Sequence, residues 1–262
     1  MNRKILEILS NKPEIVTGFP DWMLSKSRIN YLREIESLAI AEIAGRDSIA
    51  ATLKAVETGR IKAVIPTIVY SGTEFGDWNM PFEKTALLRE LLKERGVDLF
   101  EPVILGSPKL WWMLCGRHTA RLSKTFGFYT PCLGCHLYFH TVRIPLSMMI
   151  NSHIIISGER ESHDGRVKLN QIGIALDAYI SLLKKFDREL MLPLRYIRSG
   201  DLVESIIGRS WTEGSQQIQC VMNKNYVGEN DQVEYSEDAI KRFFNEFALP
   251  MVEEMIRKYI TY

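Results

Sequence analysis

The chain has 262 residues, of which 46% are hydrophobic and 25% charged, and its formal net charge is +1. This is enough for one sizeable α/β domain with small appendages, and it excludes a disordered or low-complexity protein. A balance this close to neutral also excludes a long-range field for polyanions, so any nucleic-acid contact must come from a local patch.

In chain order, the first apolar stretch is broken by Glu7, Asn11 and Lys12, which is not the pattern of a signal peptide. Residues 1–36 read as a helical extension ending in a basic stretch, and the core begins at Ser37. Residues 37–45 form a buried strand and 46–59 a helix closed by Gly59. A β-branched run over 62–70 gives the second strand, and 81–96 a helix capped by Gly96. Residues 97–105 are a third strand and 108–127 a third helix. A loop carrying Cys132 and Cys135 follows, then a helical stretch to about residue 151 and a strand at 153–158. The apolar run 144–156 contains Pro145, Asn151 and His153 and falls short of a membrane span. A helix over 172–186 and a fifth strand over 191–197 complete the core. Residues 209–234 show no period, and 238–260 are an amphipathic helix bent at Pro250. Alternating strands and helices predict a doubly wound, mostly parallel Rossmann-like α/β sheet with helices on both faces. The expected organisation is an N-terminal extension (1–36), a nucleotide-binding core (37–208) and a C-terminal segment with a third cysteine (209–262). The expected location is the cytoplasm, where four cysteines point to a metal or reactive site more than to disulfides.

Three constellations carry chemistry. Ile43, Ala44, Gly45, Arg46, Asp47 and Ser48 lie where a strand turns into a helix, whose free N–H groups attract anions. An ordinary connection with Asp47 as N-cap is the alternative. Cys132 and Cys135 stand at C-x-x-C spacing, with Cys220 far downstream. Such thiols can hold a metal or cluster, form a redox disulfide, or bind zinc with His136 and His140. Cys115, on a helix, is a buried small hydrophobe or a fourth ligand. Finally, the segment from Gly158 to Arg166 follows a buried strand. It is either a solvated charge run or a working site. In the latter, Arg160 and Arg166 clamp an oxyanion, His163 shuttles a proton, and Asp164 holds Mg2+ or acts as base.

These residues resemble the PP-loop ATP pyrophosphatase superfamily. In its S-G-G-x-D-S pattern Gly45, Asp47 and Ser48 match, with Ala44 for the first glycine and Ile43 for the opening serine. Gly72 and Phe75, and then the segment 157–162, resemble motifs of the phosphoadenylylsulfate reductase branch. The order and separation of Cys132, Cys135 and Cys220 resemble iron–sulfur-dependent tRNA thiolation enzymes. The resemblance implies that ATP binds at 44–48, Gly158 and Arg166, and that three thiolates hold a 4Fe-4S cluster with one iron open to sulfur. It implies an ATP-dependent sulfurtransferase that adenylates an acceptor, either tRNA or a small molecule, and takes sulfur from sulfide or a carrier protein. A homodimer fits equally well. The other readings are a reductase-like or desulfurating enzyme, or a non-catalytic nucleotide-binding protein with structural zinc. The chain ends RKYITY, without the C-terminal cysteine of the reductase branch.

Overall fold

A computed structural model describes residues 19–211 and 218–260. The helix expected at the extreme N-terminus lies outside the described residues. Two short helices, α1 (Asp21–Leu24) and α2 (Lys26–Arg33), lead into strand β1 (Leu38–Glu42). The chain continues through α3 (Arg46–Val56), β2 (Ala63–Tyr70), the two-residue strand β3 (Glu74–Phe75) and α4 (Met80–Lys93). Next come β4 (Asp98–Leu99), β5 (Val103–Gly106), α5 (Pro108–Trp111), a π-helical turn (Trp112–Gly116) and α6 (Thr119–Phe126). Helices α7 (Pro131–Thr141) and α8 (Arg143–Met149) precede β6 (Ile154–Ile156), which leads to α9 (Gly173–Lys185), β7 (Glu189–Met191) and α10 (Gly200–Ile207). The short strand β8 (Gln219–Cys220), helix α11 (Glu237–Phe243), a π turn (Phe244–Ala248) and α12 (Leu249–Ile260) close the described chain.

The main sheet runs β4-β2-β1-β6-β7, with β5 also on β2, and every pairing in it is parallel. The fold is thus the doubly wound, Rossmann-like α/β architecture the alternation predicted. The strands are apolar on both faces because helices cover both. Helices α4 and α10 pack on α3, whereas α7 and α11 pack on α9, and α12 packs on α8. The C-terminal helices contribute Ile240, Phe243, Phe244, Val252 and Ile256 to the same apolar core as the sheet. Among the described residues no helix is long and apolar enough to cross a membrane.

Three departures from the expected elements have local causes. The third strand is split in two, and the gap lies opposite Pro66. Val64 accepts from the Phe100 amide on that side, while Thr67 accepts from Ile43 on the other. Residues two apart point the same way, so Pro66 faces the edge strand without an N–H to offer. The C-x-x-C segment is the first turn of α7 rather than a loop. The Thr130 hydroxyl accepts from the Cys132 amide, and Pro131 occupies the first turn, where no N–H is missed. In the last helical stretch the distortion is the π turn before Pro250, whose missing N–H leaves the preceding turn wide.

Candidate functional site

The direction of winding reverses between β1 and β6, and open α/β sheets bind ligands at such a point, beyond the carboxyl ends of the strands. A cavity of about 780 Å³ opens there. Glu42, Ile43 and Ala44 line it at the end of β1. Cys132 and Cys135 line it from α7, and Cys220 from β8. Cys220 is brought in by an antiparallel pairing with Glu74, and Val221 donates to the Thr73 carbonyl at 2.9 Å. Three of the four cysteines, from two distant parts of the chain, therefore share one cavity.

Cys115 is not among its lining residues. It is buried behind Gly134, where a Cβ would lie 2.9 Å from its Sγ. Of the two residues between the paired cysteines, Gly134 must stay small because Cys115 fills that space. Burial drives the Cys132 thiol up to about 11, and it pushes Cys135 and Cys115 up as well. Such thiols stay protonated at neutral pH unless a cationic centre draws off the proton. The Met222 amide donates to Cys220 Sγ at 3.3 Å, and the Cys132 thiol donates to Asn225 Oδ1 at 3.4 Å. The buried Trp111 indole N–H has no hydrogen-bond partner of ordinary geometry among the described residues, and it lowers the Cys135 thiol against the effect of burial. Among the described residues no three His, Cys, Asp or Glu side chains close on a single-metal point.

His136 and His140 are engaged elsewhere. His136 Nδ1 is 2.7 Å from Glu159 Oε1, and its Nε2 is 2.7 Å from Asn170 Nδ2. His140 Nε2 is 2.9 Å from Glu159 Oε2. Burial alone would raise the Glu159 carboxyl, but the two imidazoles outweigh it and bring it to about 2. Both histidines thus brace a buried carboxylate, and His136 has no ring nitrogen left for zinc beside Cys132 and Cys135.

The loop from residue 43 to 48 is tightly closed. The Ala44 and Gly45 amides donate to Ser48 Oγ at 3.0 and 3.2 Å, and that hydroxyl donates to the Gly45 carbonyl at 2.8 Å. Asp47 accepts from Arg46 Nε and Arg160 Nε, both at 2.9 Å. Burial would raise the Asp47 carboxyl, yet these guanidinium bonds hold it below the usual range. Gly158 packs against the loop so closely that a Cβ would sit 2.5 Å from the Ser48 amide nitrogen. Gly45, Arg46, Asp47, Ser48 and Gly158 are not cavity-lining residues, whereas Ala44 is.

The segment after β6 departs from the expected clamp. Arg160 is 1% exposed, and besides Asp47 it donates to the carbonyls of Ser162 and Arg198 at 2.6 and 3.3 Å. Its fork is committed to holding loops together, so it does not face an oxyanion in the cavity. His163 is also 1% exposed, and burial first, then Lys168 and Arg160, lowers it to about 3. A buried imidazole that stays neutral at physiological pH is poorly suited to shuttle protons. Asp164 adopts φ +56° and accepts from the Gly200 amide at 2.8 Å, which caps α10 instead of facing the cavity. Of this segment's expected residues only Arg166 lines the cavity.

Sequence reasoning missed Glu42, Glu74 and Asn225, and for Arg143 it offered only a loose resemblance to a Lys…Pro step of the reductase branch or a helix-capping role. Arg143 is fully buried and lines the cavity together with Glu42 and Glu74. An arginine set between apolar residues on both sides, Val142 and Ile144, was the one sequence signal available for it.

No protein-family model matches the chain. It is 37% identical over 247 residues to the uncharacterized protein MJ0009 of Methanocaldococcus jannaschii, an alignment spanning 92% of this chain and 89% of that protein. The chain therefore belongs to the same family as MJ0009.

Proposed function

We propose that this chain is an ATP-dependent sulfurtransferase of the PP-loop pyrophosphatase type. The observation that carries the reading is the meeting of Cys132, Cys135 and Cys220 with Ile43 and Ala44 on one cavity at the sheet's switch point. The cavity's volume of about 780 Å³ suits a nucleotide with a small acceptor group beside it.

The thiols fit a 4Fe-4S cluster better than a free nucleophile, because burial raises Cys132 and Cys135 and the Met222 amide donates to Cys220. Held by three thiolates, such a cluster supplies one iron with a position open to sulfur. The remaining work falls to this chain's residues and to ATP. The wall at Ile43 and Ala44 receives the nucleotide. An acceptor oxygen attacks the α-phosphorus of ATP, pyrophosphate leaves, and the oxygen becomes part of an AMP leaving group. A sulfide sulfur then bonds the acceptor carbon, and the C–O bond to AMP breaks. Ionised Glu159 fixes His136, with its Nδ1 as donor, against Asn170, so that this wall keeps its shape. Asp164 caps a helix, so Mg2+ enters already bound to the triphosphate. The acceptor is a tRNA base or a small molecule, the sulfur donor is sulfide or a carrier protein, and the cytoplasm suits unpaired cysteines.

Anaerobic purification followed by iron, labile-sulfide and nucleotide assays tests this. The expected result is about four irons per chain and conversion of ATP to AMP and pyrophosphate in the presence of acceptor. Zinc, or no metal, with no AMP formed would contradict it.

A further inference from the structure

Two arginines in the described chain are buried to 1% exposure, and of the two only Arg143 lines the cavity. Arg160 is held by Asp47 and two carbonyls, and its Nη2 faces Asp164 Oδ2 at 3.6 Å, outside the cavity lining. Arg143, which opens α8, donates from Nε to Thr67 Oγ1 at 3.0 Å and from Nη1 to the Phe139 carbonyl at 3.1 Å. Its Nη2 has only Glu42 Oε1, at 3.5 Å. A guanidinium carries five N–H groups, and a well-made charge-assisted bond is about 2.8 Å long. Arg143 is therefore a buried cation with an incomplete set of partners on the lining of a cavity. Glu42 lines the same cavity, and its other oxygen is already satisfied by the Ser157 hydroxyl at 2.7 Å and the Gly158 amide at 3.3 Å. It can release Nη2 without being left bare.

We propose that Arg143 is the oxyanion-binding residue of this cavity, and that Glu42 is the counter-ion a ligand phosphate displaces. The inference rests on the preceding reading only in taking the oxyanion to be a nucleotide phosphate. Arg143 bridges the two halves of the cavity, since it bonds β2, meets the end of β1, and follows the helix that carries Cys132 and Cys135. A phosphate there would sit between the nucleotide wall and the thiols, where AMP must leave. The oxyanion contact expected of Arg160 is thereby assigned to a different arginine.

The exchange predicts opposite effects for two neighbouring substitutions, which a merely structural pair would not produce. Binding of AMP, adenosine and inorganic pyrophosphate to the full chain is measured by calorimetry, with thermal melts as a control for folding. Arg143→Gln is expected to weaken AMP and pyrophosphate about tenfold or more while adenosine changes less than about twofold. Glu42→Gln is expected to tighten AMP and pyrophosphate, because a competing carboxylate is gone. If Arg143→Gln does not fold, Arg143→Lys and Glu42→Gln decide, and unchanged or weaker anion binding in Glu42→Gln overturns the proposal. Unchanged AMP and pyrophosphate affinity in a folded Arg143→Gln variant overturns it too, as does a wild-type chain that binds neither anion. If pyrophosphate binds in an Arg143-dependent way while AMP and adenosine do not bind, the inference stands and the nucleotide reading falls.

Discussion

The charged segment that follows β6 closes on itself, whereas the wall built from α7, β8 and Arg143 lines a cavity with groups whose partners are incomplete. Arg160 bonds Asp47 and backbone carbonyls and faces Asp164, which itself accepts from a helix amide. By contrast, the Trp111 indole N–H has no hydrogen-bond partner of ordinary geometry among the described residues, Arg143 holds Glu42 loosely, and three thiols line the cavity. A dense run of charges satisfies itself locally and becomes structure. Polar groups isolated in apolar surroundings can be completed only by something that enters. The first region therefore governs stability and the second governs binding.

The largest separation of the two should come from Arg160→Ala. Removing one partner of a buried ion pair leaves Asp47 and two carbonyls uncompensated, at a cost of about 3–5 kcal/mol in urea unfolding. Cys132→Ala, on the cavity wall, should cost less than about 1 kcal/mol in the metal-free chain. Equal losses would erase the distinction.

A smaller effect sharpens the same contrast through His163. Its folded pKa of about 3 lies below the unfolded value of 6.5, so the unfolded chain binds the extra proton between these limits. His163 therefore contributes stability that is fully present above pH 6.5 and lost as pH falls toward about 3. Neither ring nitrogen has a hydrogen-bond partner of ordinary geometry among the described residues, so His163→Phe removes the titration without breaking a well-made bond. The variant's stability should fall less steeply across that window than the wild type's. Parallel curves would mean that His163 titrates freely and can act as a proton carrier.

The sheet was legible because each strand is a continuous apolar run bounded by glycine or charge, as in 37–45 and 62–70. What misled were features set by partners far away in sequence. Pro66 splits the edge strand only because its blank side faces that edge, and β7 begins at Glu189 because β6 sets the register. Helix α10 was not expected at all, since its eight residues follow closely on the stretch expected as the fifth strand. In the candidate site the cysteines were legible from spacing. The separation of Cys115 from the other three required the packing against Gly134. Glu42 carries no sequence signal, because its place beside Arg143 depends on how β1 and α8 come together. Conspicuous charges such as Arg160 and Asp164 drew attention for the same reason that they pair with one another.

The central claim is that three cysteines, and not the fourth, form one metal-holding wall. Iron and labile sulfide should be measured in anaerobically prepared Cys115→Ala, Cys132→Ala, Cys135→Ala and Cys220→Ala variants beside the wild type. The account predicts that Cys115→Ala keeps its iron while each of the other three loses it. Loss of iron in Cys115→Ala, or iron retained without Cys220, would contradict it.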